Sequence, residues 1–214
     1  MDGESNNNDR PLCRRTRRGE ERCERVRAVA SELFLAHGYD RVSLDDIIAQ
    51  AGGSKTNIYS HFGGKEGLFI ATVERLCDQV NATLKALDLA DASLEDGLRQ
   101  LGRTLMMAVL DERHLGLYRL IIGQSGRIPG IGGPWMTHGP EETRRIIALF
   151  LTPHQNRLRD LTPERAAGIY HNMLIWDHLN SAVFAHGEKP ESPVIDKHVD
   201  DTLSLFARGY ILPA

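Results

Sequence analysis

The chain has little from which to build a covalent or metal-held framework. Its 214 residues include three cysteines, Cys13, Cys23 and Cys77. An odd number without CxxC spacing argues against a disulfide scaffold and a cysteine zinc site, and suits a reducing compartment. Free, incidental cysteine is the plain reading; oxidation of Cys13 or Cys23 as a redox switch is the alternative. No run reaches the roughly 20 apolar residues of a membrane span, and the N-terminus lacks a signal-peptide apolar core. A cytoplasmic protein with no membrane partner is expected. The chain also lacks strand-type alternation, internal repeats and low-complexity tracts, which leaves an all-α class. HExxH, GxSxG and GxGxxG are all absent, and GQSGR at 123–127 has the wrong spacing.

At 41% hydrophobic and 26% charged residues the composition is that of a soluble globular protein with a substantial core. The net charge of -3 hides an asymmetry. Residues 10–65 hold eleven Arg or Lys against seven acids, and residues 66–214 fifteen against nineteen. A basic end on an acidic body suits a protein that touches phosphate with one end only.

Residues 1–19 are polar, with Arg14, Arg15, Arg17 and Arg18 clustered at their end. They read as a disordered arm that is either a solvated tail or a strand tracking phosphate or the minor groove. A first helix, Glu20 to His37, carries Val26, Val29, Ala30, Leu33 and Phe34 at helical spacing and stops at Gly38. Residues 42–69 are the most informative stretch. Ser43 with Asp46 forms a capping box, and Leu44, Ile47, Ile48 and Ala51 give the helix an apolar face. Gly52 and Gly53 end it, Ser54 caps the next helix, and Ile58 and Phe62 turn inward to join Phe34 and Ile47. Helix, glycine turn, helix is the helix-turn-helix pattern, in which the N-terminus of the second helix meets base edges. Here that N-terminus is Lys55, Thr56 and Asn57.

A long amphipathic helix of about 24 residues then opens at Lys65, a lever of roughly 35 Å. Further helices are expected from Leu94 to Val109, from about Glu112 to Ser125, from Glu141 to Leu151, from Pro163 to about Ala185 and from about Val194 to Tyr210. Gly126 to Pro140, rich in Gly and Pro, reads as loop at least in part.

Phe34 to Phe69 resembles the DNA-binding domain of TetR-family transcriptional regulators, and the C-terminal part is similar to the AefR-like branch. The resemblance rests on Phe34, Gly38 and Tyr39, on Ser43, Ile48 and Ala49, and on Ala51, Gly52, Ser54, Tyr59, His61, Phe62, Lys65 and Glu66. Gly53 and Thr56-Asn57 depart from the family pattern, the first loosening the turn and the second altering the sequence read. The resemblance implies three parts: the arm at 1–19, a helix-turn-helix domain at 20–64, and a helical regulatory and dimerisation domain at 65–214. It implies base contacts from Lys55, Thr56 and Asn57, and phosphate contacts from Ser43, Ser54, Tyr59, His61 and Lys65.

The same resemblance implies a homodimer on a double-stranded operator, with the last two helices as its interface. Tyr170, Met173, Leu174, Asn180, Leu203 and Phe206 are the candidates there, each of which could equally be monomer core. It implies a pocket for a small hydrophobic or aromatic effector among the central helices. Candidate lining residues are Met106, Met107, Leu110, Tyr118 and Ile122, followed by Trp135, Met136, Phe150 and Trp176, any one of which is more simply read as ordinary core. His171 and His178, with Asp177 and the separate His114 and His138, invite a metal or enzyme reading, but satisfied histidine is the simpler one. No catalytic residue, metal or cofactor is assigned. The expected protein is a ligand-responsive dimeric regulator, acting as a repressor. Its alternatives are a DNA-binding dimer without effector and a helical metal protein or enzyme.

Overall fold

A computed structural model of the chain describes residues 17–128, 130–184 and 190–212. Most of the basic arm, including Cys13, Arg14 and Arg15, lies outside the described residues. The described residues form helices joined by short turns: α1 (Arg17–His37), α2 (Leu44–Ala51), α3 (Lys55–Phe62), α4 (Lys65–Lys85), α5 (Leu94–Val109) and α6 (Glu112–Gln124). They continue with α7 (Gly132–Met136), α8 (Glu142–Leu151), α9 (Pro163–Phe184) and α10 (Ser192–Tyr210).

The starts follow local chemistry. Ser43 Oγ accepts from the Asp46 N–H while Asp46 accepts from the Ser43 N–H, so the capping box is formed as the sequence requires. Ser54 and Ser93 accept in the same way at α3 and α5, and Asp111 accepts from the Arg113 N–H at α6. Helix α1 begins at Arg17, three residues before the expected start, with an Arg17–Glu21 pair one turn apart. Helix α4 is 21 residues long, roughly 31 Å, and so a little shorter than its pattern suggests.

The Gly- and Pro-rich stretch is helical from Gly132 onward. Pro134 falls in the first turn of α7, where a missing N–H costs nothing. At Pro140 the backbone widens into a π turn over Thr137–Glu141 that leads directly into α8.

Two apolar cores result. One unites α1, α2 and α3 with Leu68, Phe69, Val73, Leu76 and Cys77 of α4, and takes in Leu117 and Ile121 of α6 with Ile128 and Ile131. Phe34 and Phe69 meet edge to face at its centre, with ring centroids 5.2 Å apart. The core of the N-terminal unit therefore extends past residue 64 along the first half of α4. The second core holds Leu84 of α4, the inner faces of α5, α8, α9 and α10, and Leu115 of α6. Tyr170 anchors it, fully buried, with its hydroxyl donating to the Leu98 carbonyl at 2.8 Å.

This packing corrects the expected dimer set. Tyr170, Leu174, Leu203 and Phe206 are buried within the single chain, because α5 covers the faces of α9 and α10 that carry them. Met173 and Asn180 keep partial exposure.

The junction between α3 and α4 is the tightest backbone contact. A Cβ on Gly67 would fall 1.6 Å from the Phe62 carbonyl oxygen. Gly67→Ala is expected to cost roughly 2–4 kcal/mol in urea unfolding, since backbone must move to admit it. Gly123→Ala, whose Cβ would meet nothing within 4 Å, is the control. It is expected to leave stability unchanged or raise it by up to about 1 kcal/mol.

Candidate nucleic-acid interface and central cavity

The turn between α2 and α3 brings the start of α3, with Lys55, Thr56 and Asn57, to the surface. Gly52 and Gly53 have φ of +74° and +118°. Gly53 is thus more than a loosened turn: its backbone lies in a region that side chains with a Cβ rarely enter. The Arg22 side chain lies against it, 3.4 Å from where a Cβ would be. Lys55 and Thr56 are exposed and Asn57 is half-buried at the start of α3. Tyr59 is 60% exposed, which sets it apart from the buried Ile58 beside it.

Ser43, Lys55, Tyr59 and Lys65 share one open groove with Asp40 and Arg41. Ser54, Asn57 and His61 line a second groove with Arg22. Several of these side chains already have partners. Lys55 Nζ pairs with Asp45 Oδ2 at 2.8 Å, and this carboxylate pushes the ammonium pKa up. Ser43 Oγ donates to Asp46 Oδ2 at 2.6 Å. Lys65 Nζ sits 4.3 Å from the centre of the Tyr39 ring, and partial burial there pulls its pKa down. Asp45 and Arg41 are thus parts of this surface that the residue pattern alone did not single out; their exposure on either side of the α2 N-terminus is the available signal.

Between the two cores lies a cavity of about 180 Å³. Its walls come from α4 (Cys77, Val80, Asn81), α5 (Leu105, Val109) and α6 (His114, Tyr118). The α7 and π-turn segment supplies Trp135, Met136 and Gly139, α8 supplies Thr143 and Arg144, and α9 supplies His171, Ile175 and Trp176. Tyr118, Trp135, Met136 and Trp176 are residues the sequence points to. Met106 and Leu110 are corrected: they are fully buried in the second core, because that face of α5 is filled by neighbouring helices. Met107 and Phe150 pack against the same core, and Phe150 lies over Gly97, where any Cβ would fall 2.0 Å from its ring. Ile122 faces outward at 41% exposure.

The polar residues of the wall were missed. His171, Ile175 and Leu179, spaced four apart on α9, all line the cavity, as do His114 and Tyr118 on α6. That helical spacing was readable; the inward aim of Arg144 was not. His114 Nδ1 and Arg144 Nε are buried without a hydrogen-bond partner. Arg144 Nη2 donates to Asn172 Oδ1 at 3.2 Å, and the same Asn172 oxygen lies 3.2 Å from His171 Nδ1. Asn81 donates to the His138 carbonyl and accepts from the Thr143 hydroxyl, tying α4 to the π turn and α8. Burial pushes both His114 and His171 down to about 4, and in His171 the nearby Arg144 guanidinium adds to the effect. Burial likewise pushes the Cys77 thiol up to about 12. Among the described residues no group of three or more His, Cys, Asp or Glu is placed to hold a metal ion, and no helix is long and apolar enough to cross a membrane.

Two side-chain contacts fasten α6 and the segment after it to the N-terminal helices. Arg113, adjacent to His114 on α6, makes a two-pronged pair with Glu32 of α1 at 2.6 and 2.9 Å. Arg127 Nη1 reaches Asp40, in the turn after α1, at 2.8 Å.

Comparison with known proteins agrees with this arrangement. Residues 26–72 match the family model for bacterial regulatory proteins of the tetR family, and residues 96–211 that for the C-terminal domain of AefR-like transcriptional repressors. The DNA-binding transcriptional repressor TetR of Mycobacteroides abscessus is 36% identical over 95 residues, 44% of this chain and 43% of that protein. The HTH-type transcriptional repressor ComR of Escherichia coli is 37% identical over 70 residues, 32% of this chain and 33% of that protein. The matched stretch thus spans less than half the length of either curated relative. Among solved structures, a TetR-family transcriptional regulator from Mesorhizobium loti is 30% identical and superposes with a TM-score of 0.79, covering 91% of this chain and 99% of that one. The Flavonoid-responsive Regulator FrrA is 26% identical with a TM-score of 0.75, covering 91% of this chain and 100% of that one.

The cavity histidines have a measurable consequence. In the unfolded chain they protonate near the ordinary 6.5, whereas in the fold they stay neutral down to about 4. The unfolded state therefore binds more protons in that window, and stability is lost as pH falls through it, by about 1–3 kcal/mol per group. His114→Gln is expected to flatten the slope of unfolding free energy against pH between 6.5 and 4. A slope equal to that of the native chain would show that His114 is not held neutral by burial.

Proposed function

Because the chain belongs to the TetR family of bacterial transcriptional regulators, we propose that it is a cytoplasmic, dimeric DNA-binding repressor released from its operator by a small-molecule effector. The observation that carries this reading is the double role of α4. Its first half is core of the helix-turn-helix unit, and Cys77, Val80 and Asn81 further along the same helix wall the cavity. An effector that favours a different placement of α4 changes the placement of α3 with it. DNA fixes the spacing of two symmetry-related reading helices at about 34 Å or a multiple, so a small shift at each head lowers affinity for both half-sites. The cavity also favours this reading over an effector-independent dimer, which would need a filled central half.

In the bound state Lys55, Thr56 and Asn57 meet base edges. Lys55 first has to exchange Asp45 for DNA. Tyr59, His61 and Lys65 meet phosphate, with Ser54 and Ser43 at helix N-termini beside them. Ser43 serves there mainly through its helix end, since its hydroxyl proton is given to Asp46. The dimer surface is drawn from what the single chain leaves uncovered on its last two helices. Phe184 of α9 and Val194 and Leu205 of α10 are exposed there, with Trp176 and Asn180, two turns and one turn before Phe184, at the rim of the cavity.

Footprinting of the full-length protein on its own upstream region, with and without candidate effectors, tests the reading as a whole. A two-fold symmetric footprint that fades with effector is expected; no protected site would overturn it. Lys65→Ala is expected to weaken operator and random duplex alike and to lower the slope of log K against log salt by about 1. Asn57→Ala is expected to relax preference at one base pair, leaving that slope nearly unchanged. A sequence-selective loss for Lys65→Ala would contradict its assignment to phosphate.

A further inference from the structure

The cavity has an electrostatic character that narrows its occupant. Among its lining residues are one arginine, Arg144, and two histidines that burial keeps neutral, but no aspartate or glutamate. Among the described residues Arg144 forms no ion pair; its guanidinium donates to a neutral amide, Asn172 Oδ1, and its Nε is buried without a partner. On α4, Glu74 and Asp78 face His138; Glu141 and Glu164 share a separate surface groove with Arg144 but form no ion pair with it. A half-buried guanidinium without counter-charge is costly, and a ligand carboxylate is the group its planar fork suits best.

The apolar wall supplies a second constraint. The Trp135 ring is tilted against those of His114 and Tyr118, with centroids 5.7 and 5.3 Å away. Such a wall takes the face of a flat ring. The third constraint is size, since about 180 Å³ is only a little more than the ~150 Å³ of a cavity that accepts benzene. A fourth is the buried His114 Nδ1, which has no partner and calls for a second polar group on the ligand.

Building on the effector-cavity reading, we propose that the ligand is a small hydroxylated aromatic carboxylate, with its acid group on Arg144, its ring against Trp135 and Tyr118, and its hydroxyl at His114. Cationic aromatics are disfavoured by the same arginine.

Both tryptophans of the chain, Trp135 and Trp176, line this cavity, so intrinsic fluorescence reports on its filling. The experiment titrates full-length protein with 4-hydroxybenzoate and 4-hydroxycinnamate, with their primary amides and with benzyltrimethylammonium, following calorimetry, tryptophan emission and melting temperature. The carboxylates are expected to bind about tenfold tighter than their amides, the margin of a charge-assisted over a neutral hydrogen bond. In Arg144→Gln that margin is expected to vanish while amide affinity stays the same, which also shows that the variant is folded. Amides binding as tightly as carboxylates, a preference for the ammonium, or a carboxylate margin that survives Arg144→Gln would overturn the anion assignment while leaving an effector cavity in place. If none of the three charge classes alters emission or melting at millimolar concentration, the effector reading falls with it.

Discussion

One helix has to satisfy two cores at once. The first half of α4 is locked among α1, α2 and α3 through Leu68, Phe69 and Val73, and its far end is locked against the second core through Leu84. Close packing permits no slack at either end: Gly67 lets α4 pass against the Phe62 carbonyl, and Lys85 pairs with Glu142 of α8 at 2.6 Å. A displacement in the middle of such a helix, where Val80 and Asn81 face the cavity, has to be taken up at its ends. This constraint turns two otherwise separate bundles into parts of one device.

Helix α6 repeats the arrangement on the other side of the cavity. Leu115 packs with the second core, Leu117 and Ile121 with the first, while His114 and Tyr118 face the void between them. The adjoining Arg113 holds Glu32 of α1 by two bonds, and Arg127 holds the turn after α1. Exposed pairs of this kind contribute little stability; their value here is geometric, since a bidentate pair fixes the orientation of one element on another.

Much of the N-terminal unit was legible because its signals are local. Caps at Ser43 and Ser54, glycines at 52, 53 and 63, and a short apolar period specify helix, turn and helix without reference to distant residues. The C-terminal half was legible only as helices. Periodicity identifies a buried face but not what buries it, so Tyr170, Leu174, Leu203 and Phe206 read equally as dimer surface or monomer core, and the packing of α5 decides for core. The same ambiguity left Met106 and Leu110 as candidates for either cavity or core, and the fold puts both in the core. Arg144 was illegible for the opposite reason: a charged residue on an amphipathic helix is ordinarily solvated, and only the fold shows that this one reaches an acid-free cavity. The stretch from Gly132 to Glu141 misled through its prolines, which a first helical turn and one π turn accommodate.

If α4 and α6 transmit occupancy of the cavity to the reading head, the two binding events must oppose each other by one and the same factor. The direct measurement is the affinity of a cavity ligand, followed by Trp135 and Trp176 emission, for the free protein and for the protein saturated with its operator. Affinity for the operator-bound protein should be weaker by the factor by which that ligand weakens operator binding. Equal affinity for the free and DNA-bound protein would contradict the coupling and reduce the cavity to a packing defect between two cores.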